Sequence, residues 1–389
     1  MRKTFNKLLS FTISAVMMVS LITILPSMVS ATTNIPYIDE NGQEQICSNA
    51  VELIGSDAAI TLESGWYLAS SILNFLNTIT VDGDVHIILA DECELTINGD
   101  SGKSGINVQG TNALTIYAQS NDSSMGSLTS TGGKGGAGIG GGEGIFSGSY
   151  DIPSTPGGSC GIVTINGGNV KANGGAGIGA GIGGGAGGWR FRGGNGGAIT
   201  VNGGVVTAIG GYSAGIGGGA GGITSSMYDG LGGDGGVVTI NGGVVIATGD
   251  RGVGIGAGVG YGGGGGAGGG WGATGTLNMS ENGNGVVFAS SVLANTEGVA
   301  DGIIISEGKI LFATTTPDKA DIIIAFYDGG KLISIETEPI IENGKIENVE
   351  IPQKSTTIKI MLWNGLNTMQ PLREARTFTN DGSGWKLGK

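Results

Sequence analysis

The chain of 389 residues has little of the residues that carry most protein chemistry. It contains 1 histidine, 3 cysteines and 19 Lys plus Arg against 32 Asp plus Glu, so its net charge is −13. Binding to nucleic acid needs stripes of basic side chains along the phosphates, and this charge balance argues against it. Proline is scarce at 8 residues while the apolar fraction is an ordinary 39%, which argues against a disordered Gly/Pro linker.

Helical periodicity is missing as well. Beyond the N-terminal segment, no stretch repeats apolar residues at the 3.6-residue spacing of an amphipathic helix. Short alternating runs such as Val85 to Leu89 and Ala113 to Tyr117 are instead separated by Asp-Gly, Asn-Gly and Gly-Thr-Asn turn signals. Short strands without crossover helices predict an all-β fold, which leaves a sandwich, a barrel or a solenoid.

Glycine, in contrast, is abundant, with 83 residues that do not follow the every-third spacing of collagen. Between residues 131 and 275 the sequence repeats a strand phrase, first seen as Val163-Thr164-Ile165-Asn166-Gly167-Gly168. Its asparagine recurs at Asn202 and Asn241, after 202 − 166 = 36 and 241 − 202 = 39 residues. A fixed period of this kind is typical of stacked repeats. We therefore predict a right-handed parallel β-helix (β-solenoid) over residues 77–315, built from double-coil repeats of about 38 residues.

The repeat also predicts which side chains face inward. Stacking places Ile165, Val201 and Ile240 above one another in the core, at the strand spacing of a sheet. The asparagines form a hydrogen-bonded column at a turn, and the Gly-Gly pairs after them supply left-handed backbone geometry. A second phrase, Ala-Gly-Ile-Gly, predicts a thin opposite side. Its expected inward residues are Ile139, Ile178, Ile216 and Ile255.

The regions outside the repeats predict export and additional strands. Residues 1–31 have a basic start, an apolar core and a small-residue cleavage site at Ala31, which indicates a signal peptide, with a retained membrane anchor as the alternative. Removal of the signal leaves an extracellular protein, secreted or at the cell surface, with no membrane span. Residues 32–76 are predicted as N-terminal cap strands, 318–377 as a small β-sandwich and 378–389 as a loose tail.

Cysteines and acidic residues leave two questions open. Cys47 and Cys93 lie in the same region of an exported chain, so they either form a disulfide or remain free thiols. Cys160 stands where a repeat would carry glycine and is interpreted as a small packed side chain. No metal site or cofactor is predicted. Calcium is the alternative, through Asp82-Gly83-Asp84 or the carboxylates Glu143, Asp151, Asp229 and Asp234.

Four glycine-rich insertions carry most of the candidate binding residues. They span 141–159, 183–197, 217–236 and 256–275, and insertions at one point of a solenoid emerge on one face, often the binding face. An aromatic ring on a glycine-lined segment offers a platform for the C–H face of a sugar. The alternative is that each ring packs on neighbouring glycine backbone. The candidate glycan-binding residues are Trp189, Phe191, Tyr212, Tyr228, Tyr261 and Trp271.

Catalysis is the main rival function, as a polysaccharide lyase or glycoside hydrolase of β-helix fold. A glycosidase needs two carboxylates across the sugar bond, and a lyase needs a base. No two acids recur in register between residues 131 and 275, and His86 lies in an alternating strand where a packed role is expected. We therefore predict no catalytic residues. A purely structural surface spacer is a further alternative.

Two regions resemble known families. Tyr37-Ile38-Asp39-Glu40-Asn41-Gly42, Gly65-Trp66-Tyr67 and Ala137-Gly138-Ile139-Gly140-Gly141-Gly142 resemble exported glycine-rich β-helix proteins of Gram-positive bacteria, of clostridial and gut Firmicutes type, described as carbohydrate-binding domain-containing. This resemblance covers about residues 35–275. The run from Ile360 to Leu372 resembles a C-terminal β-sandwich module of clostridial exported proteins, with Asn364 and Gln370 in place of the expected Asp and Lys.

The first resemblance implies a polysaccharide or glycan partner, and the second implies no catalytic role. Together with the aromatic insertions, they predict a secreted or cell-surface, non-catalytic carbohydrate-binding or adhesive protein.

Overall fold

The computed structural model describes most of the chain as β-structure and extended segments. The described residues are 31–145, 154–222, 230–260, 270–279, 285–295, 302–313, 320–339, 345–365, 370–372, 374–382 and 384–388. The first strands are β1 Ala31–Thr32, β2 Ile35–Ile38, β3 Glu44–Cys47, β4 Ala50–Glu52, β5 Ile60–Ala69 and β6 Ile72–Phe75. Those of the central region are β7 Ile79–Leu89, β8 Glu94–Asn98, β9 Ile106–Asn107, β10 Ala113–Ala118, β11 Ser127–Thr131, β12 Ile139–Gly140, β13 Ile162–Ile165, β14 Asn169–Asn173, β15 Ile182–Gly183, β16 Ala198–Val201, β17 Val205–Gly210, β18 Ile216–Gly217, β19 Val237–Ile240, β20 Val244–Gly249, β21 Ile255–Gly256, β22 Gly275–Met279, β23 Val286–Ala289 and β24 Val292–Asn295. The last are β25 Gly302–Ser306, β26 Lys309–Ala313, β27 Asp321–Asp328, β28 Lys331–Pro339, β29 Lys345–Glu350, β30 Thr357–Trp363, β31 Arg376–Asn380 and β32 Trp385–Leu387.

The central strands stack in parallel on three faces. Face one contains β7, β10, β13, β16, β19 and β22, face two contains β8, β11, β14, β17, β20 and β23, and face three contains β9, β12, β15, β18, β21 and β24. Strands β5 and β6 extend faces one and two in parallel, so the stack begins before the predicted residue 77. The all-β prediction is confirmed, and the three parallel ladders are those of a β-solenoid.

Each repeat forms one coil rather than two. Val163 on β13 pairs with Ile199 on β16, and Ile199 pairs with Val238 on β19, so strands one full repeat apart are direct hydrogen-bonded neighbours. The prediction of a double coil is wrong. The remaining residues of each repeat extend the coil sideways as the glycine-rich insertion.

The predicted inward rows are present on face one. Ile165, Val201 and Ile240 are in register and fully buried. Face three differs from the prediction in one coil, because Ile182 rather than Ile178 stacks between Ile139 and Ile216. A short 3-10 turn at Gly175–Gly177 lengthens this coil and moves the inward isoleucine four positions along the chain (182 − 178 = 4).

The asparagine column at the corner between faces one and two is confirmed. Nδ2 of Asn202 donates to Oδ1 of Asn166, and Nδ2 of Asn241 donates to Oδ1 of Asn202, each at 2.7 Å. The second glycine of each Asn-Gly-Gly turn has the left-handed φ that glycine tolerates, for example +77° at Gly204. We call these three asparagines the asparagine ladder.

Replacing Asn202 with alanine is expected to destabilise the protein by about 2 kcal/mol, because it leaves Oδ1 of Asn166 and Nδ2 of Asn241 without partners. Chemical denaturation measures the free energy of unfolding. The matched control is Thr207→Val on β17 of the same coil, a half-buried position where we expect a change within about 0.5 kcal/mol. Equal stability of Asn202→Ala and the wild type would contradict a structural role for the ladder.

The glycine-rich insertions form an ordered layer of extended segments beside faces one and three. N–H groups of Gly138, Gly141 and Gly144 donate to the carbonyl oxygens of Ala180, Gly183 and Ala186 in the next coil. Hydrogen bonds at every third residue give these extended segments a three-residue period, which polyproline II helices also have. We call this structure the glycine layer. It consists of outgoing segments 138–144, 181–187, 215–221 and 254–260 together with returning segments 155–160, 191–197, 230–236 and 270–275.

Outgoing and returning segments are also bonded to one another. The N–H of Gly194 donates to the carbonyl of Gly185 within one insertion. The N–H groups of Gly185 and Gly219 donate to the carbonyls of Gly158 and Gly194 in the preceding coils. The φ angles of these glycines are not in the left-handed region. Glycine is needed here for space, because a Cβ on Gly185 or Gly219 would lie closer than 3.0 Å to main-chain atoms of the neighbouring segment.

The C-terminal strands pack on the outer side of the last strands of face two, in a buried cluster distinct from the solenoid interior. Strands β28, β27, β30, β31 and β32 make a five-stranded antiparallel sheet, whereas β29 pairs with β26 at the end of face two. One buried cluster joins Phe326 and Phe378 of that sheet to Phe288 and Ile305 of the solenoid. Residues on both sides of the predicted boundary near residue 318 therefore belong to this cluster.

All three cysteines are buried and free, so the disulfide considered for Cys47 and Cys93 is not formed. The reason is their placement: Cys47 packs with the N-terminal hairpin outside face one, and Cys93 lies in the solenoid core. Cys160 is packed in the same core, as predicted. Burial raises the pKa of the Cys93 thiol to about 11 and that of Cys160 to about 12.

Candidate functional site

The predicted aromatic residues that the structure describes do not form a single row. Trp189 and Phe191 lie at the tip of the second insertion, where the chain turns from the outgoing to the returning segment. Phe191 is 39% exposed, and the guanidinium carbon of Arg190 lies 5.0 Å from the ring centre of Trp189. The tip therefore has one ring that solvent reaches and one covered in part by an arginine.

Tyr212 lies elsewhere, in the turn between β17 and β18. Its main-chain N–H donates to Gly177, and the guanidinium of Arg251 lies 5.0 Å from its ring centre. The ring of Tyr212, like that of Trp189, is therefore contacted by an arginine side chain. Tyr228 and Tyr261 are outside the described residues.

Trp271 lies on the last returning segment of the glycine layer. The N–H of Gly193 donates to the carbonyl of Leu231, and the N–H of Gly232 donates to the carbonyl of Gly270. In this register Gly193, Gly232 and Trp271 occupy the same position in three successive coils. A Cβ at either glycine would lie closer than 3.0 Å to the next outgoing segment. No described glycine segment takes that place beside Trp271. Its side chain is 48% exposed, so the layer ends here on a large accessible ring.

A groove of about 510 Å³ opens beside Trp271. Its apolar wall comes from Val292 and Leu293 of β24 and from Val253 before β21. Thr274 and Ser291 contribute hydroxyl-bearing side chains, and the exposed Glu307, at the turn between β25 and β26, contributes a carboxylate. The groove thus combines one aromatic ring, an apolar wall and three polar side chains.

The groove residues other than Trp271 were not predicted from the sequence. They come from the ends of four segments that only the stacking of the last coils brings together. Glu307 stands in a Glu-Gly turn with a φ of 50°, and such a turn is a common connection between antiparallel strands. No local sequence pattern distinguishes it as a ligand-binding acid.

His86 has the packed role expected for it. Its ring stacks on Trp66 with centroids 4.4 Å apart, and Nδ1 lies 3.1 Å from the hydroxyl of Tyr117. Tyr37 of the N-terminal hairpin covers the same cluster, with its ring 4.9 Å from that of Tyr117. The histidine therefore belongs to an aromatic cluster that fixes the hairpin on face one.

The insertion carboxylates considered for calcium are either structural or not described. Asp234 accepts a hydrogen bond from the N–H of Ala273 and forms an ion pair with Arg192 in the preceding coil. Burial raises the pKa of Glu143 above its ordinary value, and the nearby positive charge of Lys134 offsets part of this increase. Asp151 and Asp229 are outside the described residues. Within the described ranges, no group of three or more His, Cys, Asp and Glu side chains could hold a metal ion.

Comparisons with known proteins return no match to a family model, to a curated protein or to a solved structure. In the part of the chain that the structure describes, none of the helices is long and apolar enough to span a membrane.

Proposed function

We propose that this is a secreted or cell-surface, non-catalytic protein that binds a polysaccharide or glycan in the groove beside Trp271. The exposed Trp271 ring at the end of the glycine layer is the observation that carries the proposal. A flat indole takes up the C–H face of a sugar with a large contact area, and its exposure leaves that face accessible. The N-terminal signal sequence supports the extracellular location.

The polar side chains of the groove suit the hydroxyl groups of a sugar. Thr274 and Ser291 can both donate and accept hydrogen bonds, and ionised Glu307 accepts them. The apolar wall of Val292 and Leu293 faces the same space. A mainly apolar lining with a few polar groups is the usual composition of small-molecule sites.

The same groove argues for binding rather than hydrolysis. Glycoside hydrolysis uses a pair of carboxyl groups on either side of the scissile bond. Glu307 is the one acidic residue among the described residues that line this groove. We infer a binding role for it, as a hydrogen-bond acceptor.

We further propose that the coils are right-handed, the hand that connections between parallel strands strongly prefer. The C-terminal sheet is proposed to complete a β-sandwich with the end of face two, since the two share the cluster around Phe288 and Phe378. This arrangement would leave the Trp271 groove at the C-terminal end of the solenoid.

Trp271→Ala is expected to weaken retention on an insoluble polysaccharide by about tenfold or more, because a buried tryptophan contact is a typical binding hot spot. Binding isotherms on cellulose, chitin and xylan particles measure this. Trp271→Phe keeps an aromatic ring and is expected to retain part of the affinity. Phe191→Ala, at the insertion tip, removes another exposed aromatic ring of the layer and is the control that is expected to leave retention unchanged.

Unchanged retention of Trp271→Ala would overturn the role of the groove. If the wild-type protein binds none of the three polysaccharides or the sugars of a glycan array, carbohydrate binding itself is rejected. The spacer interpretation would then be favoured.

A further inference from the structure

A second groove, of about 330 Å³, lies along the asparagine ladder, at the corner between faces one and two. Its floor is made by Asn166 and Asn202 and by the glycines that follow them in the coils. One wall is the turn of the N-terminal hairpin at Ile38, Asp39 and Gly42, and the other is the loop after β10. No sequence motif assigns a role to this corner.

The groove exists because one coil departs from the Asn-Gly-Gly turn. Ile116 pairs with Ile165, so Tyr117 of the preceding coil occupies the register of Asn166. After β10 the chain makes a longer loop, 119–126, and this loop places Asn121 and Met125 beside the ladder. The ladder therefore begins at Asn166, with no asparagine beneath it in the stack.

The first amide of the ladder has an unused donor. Oδ1 of Asn166 accepts from Asn202, but Nδ2 of Asn166 has no hydrogen-bond partner among the described residues. Asn166 is only 4% exposed, and it lines the groove. Because Asn166 lines the groove, this N–H₂ group can donate to an acceptor atom of a bound ligand.

A carboxylate held by hydrogen bonds within the hairpin, that of Asp39, lines the same groove. Oδ1 of Asp39 accepts hydrogen bonds from the N–H groups of Asn41 (2.9 Å) and Gln43 (2.8 Å), and Oδ2 accepts one from Nε2 of Gln45 (3.0 Å). These bonds, above all that from Gln43, hold the pKa of Asp39 below its ordinary value. The charge is therefore present at neutral pH, and Oδ2 keeps acceptor capacity for a hydroxyl group.

The remaining surfaces are apolar or flat. Ile38, Met125 and Val205 contribute aliphatic side chains, and Gly203 and Gly204 leave bare main chain on the floor. A ring with C–H groups can lie on such a floor while its hydroxyl groups reach the amide and the carboxylate. An anionic ligand would be repelled by Asp39.

We propose that the groove along the asparagine ladder binds one neutral sugar residue, with Asn166 donating to it and Asp39 accepting from it. This site is separate from the Trp271 groove and does not depend on it. In a polymeric ligand, binding at both grooves would add through effective concentration.

The test uses the full mature chain with ¹³C-methyl-labelled methionine, titrated with cellohexaose, xylohexaose, mannohexaose and chitohexaose. We expect one of these neutral oligosaccharides to shift the Met125 methyl signal, which Met125→Leu identifies. Asp39→Asn and Asn121→Ala are each expected to weaken this titration by about tenfold. The matched control is Glu44→Gln, which removes an exposed carboxylate of the same hairpin outside the groove and is expected to leave the titration unchanged.

Two outcomes would reject the site: no Met125 shift with any of the four sugars, or equal affinity of Asp39→Asn and the wild type. A shift of similar size with an oligogalacturonate would also reject it, since the site is proposed to exclude anions. Thermal unfolding midpoints of all variants show whether a loss reflects folding. Trp271→Ala separates the two proposals, because it should weaken retention on particles and leave the Met125 titration intact.

Discussion

Replacing Gly233 with alanine is expected to destabilise the protein by about 3 kcal/mol or more. Gly233 lies on a returning segment, and its N–H donates to the carbonyl of Gly219. A Cβ at this position would lie closer than 3.0 Å to the carbonyl group of Gly194 in the preceding coil. Main-chain atoms cannot rotate away as a side chain can, so the coils must separate and lose hydrogen bonds. Overpacking against main chain is therefore expected to reach the upper end of the loss in stability that overpacked substitutions usually cause.

The matched control for Gly233→Ala is Gly270→Ala on the next returning segment. A Cβ on Gly270 would meet the end of a flexible side chain, Cδ2 of Leu231, at 3.2 Å, and the backbone there is not left-handed. We expect a change within about 0.5 kcal/mol. Chemical denaturation compares both variants with the wild type. Similar stabilities of the two variants would show that the glycine layer is not closely packed.

The packing of the glycine layer limits where the insertions can carry large side chains. Stretches that look like flexible loops in the sequence are main chain packed on main chain, with the N–H groups of Gly185, Gly194 and Gly219 all donating within the layer. The glycines that pack on neighbouring main chain leave no room for a Cβ, and the buried side chains inside the layer are small, such as those of Ala186 and Ala220. The exposed rings of Phe191 and Trp271 occupy a tip and an end of the layer. The layer therefore restricts where a ligand-binding aromatic residue can stand.

Much of the solenoid could be predicted because its signal is periodic. The core rows through Ile165 and the asparagine ladder follow from residues that recur at the same point of each repeat. The number of coils per repeat could not be predicted in this way, since a period fixes the length of the unit and not its path. The missing information was that glycine runs pack as extended segments with a three-residue period, a pattern that carries no side-chain signal.

The candidate grooves were less predictable than the fold. Trp271 could be identified as an aromatic residue in an insertion, but its exposure depends on the absence of a described glycine segment above it in the stack. Glu307 and Ser291 reach the same groove from later coils. At the other groove, Asp39 meets the ladder because the N-terminal hairpin folds back over face one, and Asn121 meets it because the loop after β10 is longer than the corresponding turns. Such contacts between distant segments have no fixed spacing in the sequence.

The attachment of the C-terminal sheet had a sequence signal that becomes clear in the register. Along one outward row of face two, polar side chains at Thr96, Thr129, Lys171 and Thr207 give way to apolar ones. The row continues as Ile246, Phe288 and Ile305, at the level where the sheet packs. Apolar residues on the outside of a solenoid face indicate a partner layer, because exposed apolar rows are otherwise unfavourable.

Phe378→Ala is expected to destabilise the whole protein by about 3–5 kcal/mol, the usual cost of removing a buried phenylalanine. Phe378 is fully buried on β31, and its ring meets that of Phe288 on the solenoid strand β23 edge-on, with centroids 5.7 Å apart. Because the cavity would open between the sheet and the solenoid, both should lose stability together. Calorimetry should therefore show one unfolding transition at a lower temperature.

The control for this variant is Leu332→Ala on the edge strand β28, where the side chain is 46% exposed and the change should stay within about 1 kcal/mol. An independent module would respond differently to Phe378→Ala. A separate early transition would appear for the sheet, and the solenoid transition would remain at its wild-type temperature. That result would contradict a shared buried cluster, whereas a joint shift supports the view that the sheet stabilises the end of the solenoid on which the Trp271 groove is built.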